Sequence, residues 1–192
     1  NVNGLFYGEK IVGNNYIYSY ENDDWQLQTA TGYPEYYRTI DTTPDGIYQL
    51  IRGPRGDKKV LKVIKLINNS WTQVGTFPDV QRFTGFDFPS ISGDGLRVSA
   101  IENRDNQSYN KRCFVYEYSS GSWNQMAELK ATGSVYTDYA RCTLSSDGNS
   151  IVTTTDWLGG NKGQIDYKVE VYGYSGTNWT LKGSSIDITA SN

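Results

Sequence analysis

The chain has 192 residues, a formal net charge of -3 and no histidine. That balance lacks the basic stripe a nucleic-acid backbone demands, and the missing imidazole excludes Ser-His-Asp triads, Cys-His nucleophiles and His-bearing metal sites. Five Trp, sixteen Tyr and twenty Gly against one Met describe short aromatic strands separated by turns, an all-β composition, and no apolar run approaches the roughly 18 residues of a membrane helix.

The chain opens on Asn1 rather than Met, as expected of a processed product or of a part of something longer. Asn3-Gly4 is the first Asx-Gly turn signal, and Ile17, Tyr18, Tyr20 and Trp25 follow in strand-like alternation. The same pattern returns three times. Asp45-Gly46 precedes Val63, Ile64, Leu66 and Trp71; Asp94-Gly95 precedes Val115, Tyr116, Tyr118 and Trp123; Asp147-Gly148 precedes Val171, Tyr172, Tyr174 and Trp179. In every unit large residues sit five and seven positions before the Trp and a branched apolar residue eight before it.

Each unit therefore carries two hairpins, one turning at the Asx-Gly pair and one between the Tyr and the Trp. In the third unit the pattern predicts strand a over 86–92, b over 96–101, c over 112–118 and d over 123–129. Four antiparallel strands per repeat make one propeller blade. The expected architecture is a single four-bladed β-propeller with repeats at about 1–29, 30–79, 80–131 and 132–192 and one buried face from strands b and c in each blade. Because Asn3-Gly4 is read as the turn after strand a, the first blade is expected to lack its own innermost strand.

The stretch Phe83-Thr-Gly-Phe-Asp-Phe-Pro-Ser-Ile-Ser-Gly-Asp-Gly-Leu-Arg-Val, with Val115-Tyr-Glu-Tyr and Trp123 after it, resembles the FG-GAP-like propeller repeats of secreted and surface proteins, distantly similar to the integrin α-chain head. The resemblance runs along essentially the whole chain and implies a propeller of extracellular location. The Asp-x-Asp-x-Asp-Gly calcium loop of integrin-like blades is missing from 102–111 and 156–166, and Ser99-Ala100-Ile101 and Thr153-Thr154-Thr155 stand where a Gly-Ala-Pro element would. No cofactor and no metal is expected.

Asp45, Asp94 and Asp147 occupy a repeated turn position, so they are read as turn formers rather than acids of a glycosidase pair, and no catalysis is expected. Trp25, Trp71, Trp123 and Trp179 are read as packing between blades or at their rim rather than as sugar platforms. Trp157, outside the repeat phase in the b to c connection, is the candidate binding anchor, with Tyr136 and Tyr139 in the d to a connection on the same surface. Together they would serve the alternative function, a lectin-like propeller. Arg55-Gly56-Asp57 in another b to c loop could be an adhesion tripeptide or part of a flexible basic loop. Asn68, Asn106 and Asn178 head Asn-x-Ser/Thr sequons, candidate N-glycosylation sites of a secretory route. Cys113 and Cys142 permit one disulfide or two buried thiols.

The b to c loops lengthen from the first unit to the fourth, which points to one variable face as the contact face. At the ends, an open first-blade edge at Asn3 and Gly4 and a short alternating tail at Ile186 and Ile188 are the candidate assembly elements, joining copies head-to-tail into a filament or ring. The function read from the sequence is thus a non-catalytic extracellular structural or adhesive propeller. Its partners would be other copies of itself or glycans and surface proteins, without nucleic acid or membrane insertion.

Overall fold

The computed structural model describes residues 5–7, 10–12, 16–34, 37–53, 61–78, 87–103, 111–130, 137–157 and 166–189. They form four antiparallel sheets in chain order. The first contains β1 (Leu5–Tyr7), β2 (Lys10–Val12), β3 (Tyr16–Glu21) and β4 (Asp24–Thr29); the second β5 (Arg38–Thr42), β6 (Tyr48–Arg52), β7 (Leu61–Ile67) and β8 (Ser70–Gln73). The third contains β9 (Asp87–Ile91), β10 (Arg97–Asn103), β11 (Lys111–Ser119) and β12 (Ser122–Leu129). The fourth contains β13 (Thr137–Leu144), β14 (Ser150–Trp157), β15 (Asp166–Tyr174) and β16 (Trp179–Leu181), with β17 (Ile186–Thr189) also on β15.

Within each sheet the strands follow one another from a to d. Sheets two to four stack with strand a of the following sheet at the centre of each junction: β9 packs on β5 and β6, and β13 packs on β9, β10 and β11.

The turns explain the register. Between strands a and b of the last three sheets, Thr43, Ser92 and Ser145 donate their hydroxyls to Asp45, Asp94 and Asp147 at 2.5, 2.6 and 2.5 Å. The same hydroxyls accept the backbone N–H of Tyr48, Arg97 and Ser150, while each Asp accepts the N–H two residues on. Gly46, Gly95 and Gly148 then take φ of 69, 73 and 68°, which a side chain resists. Between c and d, the pairs Asn22-Asp23, Asn68-Asn69 and Ser120-Gly121 have positive φ at both positions, the twist a two-residue hairpin requires.

Two expectations change at the ends. The first sheet has its own strand a: β1 pairs β2 with Phe6 opposite Ile11. Asn3-Gly4, outside the described residues, was read as the a to b turn because it resembled the later Asx-Gly pairs; the turn falls after Tyr7 instead, where no Asx-Gly marks it. The candidate assembly tail is engaged within its own sheet. Ile186 and Ile188 pair with Val169 and Tyr167, so β16 and β17 together run along β15 as one interrupted strand d.

A third expectation was one buried face per blade. In the third sheet Val98, Ser99, Ala100 and Ile101 are all buried, as are Cys113, Phe114, Val115 and Tyr116. Both faces are covered because a sheet lies on each side, and for that reason the alternation of strands b and c runs between two apolar sets.

Candidate assembly interface

Each inner sheet has two unlike faces. The leading face, turned toward the following sheet, carries the branched residue eight before the Trp. The trailing face carries the large residue seven before the Trp, Ile64 or Tyr116, and the Trp itself. At the junction of sheets two and three, Leu50, Leu61 and Val63 of the leading face form one core with Ile91, Val98, Ala100, Phe114, Tyr116 and Trp123 of the trailing face. At the next junction, Ile101, Cys113, Val115 and Leu129 meet Cys142, Leu144, Ile151 and Tyr172.

Incoming backbone seals the trailing side. Trp123 donates its ring N–H to the Val74 carbonyl at 2.7 Å and its backbone N–H to Thr76, and Phe77 stacks on its ring at 4.9 Å. Trp71 receives the preceding connection through its backbone, whose N–H donates to the Thr31 carbonyl at 2.7 Å, with Tyr33 edge-on to its ring. Ala30, Tyr33 and Tyr37 complete the cover over Ile51 and Ile64. Trp71 and Trp123 are junction residues, and burial accounts for both.

Polar contacts fix the junctions in register. Four residues before Asp45 and Asp94, a side chain on the leading face reaches the next sheet's strand a. Asp41 accepts the Ile91 N–H at 2.9 Å, and Ser90 accepts the Leu144 N–H at 2.7 Å. Ser99 donates to the Cys142 carbonyl at 3.1 Å. Burial pushes the Asp41 carboxyl up, against the lowering effect of the Ile91 and Thr42 amides. At the solvent end, Arg97 holds Glu117 at 2.9 Å in its own sheet, reaches Asn149 at 2.7 Å in the next and lies over the Tyr174 ring. A disulfide between Cys113 and Cys142 crosses the same junction, with Cα atoms 6.0 Å apart.

Among the described residues, no sheet packs on the leading face of sheet four or the trailing face of sheet one. On the leading face of sheet four, Val152 holds the place of Leu50 and Ser99; it is 43% exposed where they are fully buried. Val169 and Val171, in the places of the buried pairs Leu61 and Cys113, and Val63 and Val115, are half-buried. Ile186 and Ile188 extend this surface at 58% and 48% exposure, and Thr143, in the place of Asp41 and Ser90, is exposed on it. On the trailing face of sheet one, Tyr18 and Trp25 are half-buried and Tyr20 and Leu27 exposed.

The other sequence candidates are scattered. Trp157 ends strand β14 rather than lying in a loop, and Tyr139 lies within β13 rather than in the connection before it; positions 139 and 157 fall on one sheet face by register. Tyr136, Asn106 and Arg55-Gly56-Asp57 lie outside the described residues. Asn68 is exposed at the β7–β8 turn, and Asn178 is exposed just before β16. Sequence reasoning missed Asp41, Ser90, Thr143 and Arg97, although the constant spacing to Asp45, Asp94 and Asp147 was a usable signal for the first three.

Four sheets of four antiparallel strands, with β9 packed beside both β5 and β13, follow the path of known solved structures. The β-propeller domain of the Trilobed protease from Pyrococcus furiosus, with an open velcro topology, matches 96% of this chain at 9% identity and a TM-score of 0.54. The fold is a β-propeller. TolB from Acinetobacter baumannii matches 93% of the chain at 16% identity with a TM-score of 0.51. This propeller chain spans 57% of the Pyrococcus domain and 39% of TolB. No protein-family model and no curated relative matches it.

Proposed function

We propose that this propeller is a non-catalytic structural or adhesive module of FG-GAP-like type, working at the cell surface or outside the cell by joining the exposed face of its fourth blade to another blade. The observation that carries the reading is the leading face of sheet four. Val152, Val169 and Val171 repeat an apolar surface that is buried at both inner junctions and uncovered here. Exposed apolar surface of this kind marks contact sites. The repeated acids support the absence of catalysis, since Asp45, Asp94 and Asp147 are engaged in their turns. The disulfide and the exposed sequons at Asn68 and Asn178 support the extracellular setting.

Light scattering over a range of concentrations tests the reading. The chain is expected to exceed its 21.6 kDa mass, and Val152→Lys is expected to return it to that mass with unchanged circular dichroism. A chain that stays at monomer mass at every concentration overturns the assembly reading. A glycan-array signal lost on Trp157→Ala would favour the lectin-like alternative instead.

A further inference from the structure

We infer that the b to c end of sheet two is a second contact site, a cationic surface that holds a linear acidic polysaccharide. It is separate from the sheet-four face and does not depend on it.

Charge is spread unevenly along this chain. Arg38 and residues 52–62 hold six of the 18 Lys and Arg but only one of the 21 Asp and Glu, in a protein of net charge -3. Register brings these positions to one end of the blade. Arg38 lies directly opposite Arg52 across β5 and β6, and Lys62 lies on β7 opposite Ile51, the neighbour of Arg52. The connection from Arg52 back to its paired partner Leu61 carries Arg55, Lys58 and Lys59, so chain connectivity tethers their charge to the same end.

The repeat does not require these cations. Ile101 and Thr154 hold the place of Arg52, and Phe114 and Glu170 that of Lys62. Like charges directly opposite in a ladder are destabilising, and sheet three places Asp87 opposite Ile101 where sheet two places Arg38 opposite Arg52. Arg38 is exposed, and neither Arg38 nor Lys62 has a carboxylate partner among the described residues. Lys62 instead rests its Nζ 4.6 Å from the centre of the Tyr37 ring. That ring packs on Gly53, where an added Cβ would meet it at 3.4 Å. An aromatic face holds an ammonium in position without cancelling its charge.

The chemistry of the end selects its occupant. Guanidinium groups take sulfate or carboxylate oxygens through paired N–H donors, and several cations along one blade end match the repeated charge of a polymer. The remainder of the chain is net negative, so a broad anionic surface such as a membrane is repelled over most of its area, whereas a narrow polymer meets only the cationic end. Single-stranded nucleic acid needs open aromatic faces for its bases, and Tyr37 is already covered by Lys62. An acidic polysaccharide needs no such face and fits the proposed extracellular setting.

Titration calorimetry with dextran sulfate, and neutral dextran as the blank, tests the inference. The unsubstituted chain is expected to bind dextran sulfate and not dextran, more weakly as added salt screens the contact. Arg38→Glu combined with Lys62→Glu is expected to raise the dissociation constant at least ~10-fold, and Arg38→Glu alone, at an exposed position, part of the way. Lys130→Glu combined with Lys182→Glu makes the same change in net charge at exposed positions beside β12 and β16, and is expected to shift it less than ~2-fold. Circular dichroism establishes that each variant folds.

Three outcomes overturn the inference. One is an unsubstituted chain that does not bind dextran sulfate. Another is an equal loss in the Lys130 and Lys182 variant, which makes net charge the cause. The third is tighter binding, at matched charge, to phosphatidylserine vesicles or to oligothymidylate. The sheet-four reading is measured separately, by light scattering, and none of these outcomes touches it.

Discussion

Trp123 and Trp25 hold the same repeat position, and truncating each to Ala separates a junction role from a generic one. Trp123 is 2% exposed, stacked on Phe77 and bonded through its ring N–H to Val74. Burying an indole removes roughly 200 Å² of surface, or about 5 kcal/mol at 25 cal/mol per Å². Large aromatic truncations in cores typically cost about 3–5 kcal/mol. Trp123→Ala should therefore lose about 4 kcal/mol, a large part of the ~5–15 kcal/mol that holds a domain together. Trp25 touches Tyr20 at 5.3 Å but is only half-buried, so Trp25→Ala should lose about 2 kcal/mol. Urea unfolding followed by circular dichroism measures both, in solutions dilute enough to keep the chains apart. Equal losses in dilute solution would refute the view that preceding-sheet cover distinguishes the two positions.

Replacing Cys113 and Cys142 together by Ser opens a cross-link of sequence separation 29. The chain-entropy relation puts the loss at about 3.5 kcal/mol, and urea midpoints under non-reducing conditions would measure it; an unchanged midpoint would deny the junction its covalent tie. Asp41 gives a pH signature of definite sign. Its folded carboxyl titrates above 3.8 because of burial, so between 3.8 and the raised value the folded state keeps a proton the unfolded state has lost. Its contribution to stability therefore falls as pH rises through that window. Asp41→Asn keeps an acceptor for Ile91 without the charge, and should remove this slope with no loss at pH 7. Asp41→Ala leaves the Ile91 N–H unmet and should cost about 1–3 kcal/mol. Unfolding curves of the three forms from pH 3 to 7 decide it.

The repeat was legible because two of its markers are forced by local chemistry. An Asx-Gly turn needs a glycine at positive φ and an oxygen beside it, and Asp94-Gly95 supplied both, so strands predicted over 96–101 and 112–118 were observed as Arg97–Asn103 and Lys111–Ser119. The first strand was missed because the turn between β1 and β2 lacks that signature. That the tail pairs with β15 was not legible, because Ile186 and Ile188 alternate as any edge strand does, and alternation does not say which edge is met. The contact face stayed hidden for a related reason. Val171 looks the same in sequence as Val63 and Val115; only the stacking of sheets shows that two of the three are covered.

Thiol labelling of Val152→Cys tests the central claim most directly, because Cys113 and Cys142 are tied to each other and leave a single reactive group under non-reducing conditions. A maleimide probe is predicted to react fast in dilute solution and progressively more slowly as concentration rises, as copies cover the leading face of sheet four. Fast labelling at every concentration would mean that nothing docks there, and slow labelling even at high dilution would mean that the face is closed within one chain; either result contradicts the account.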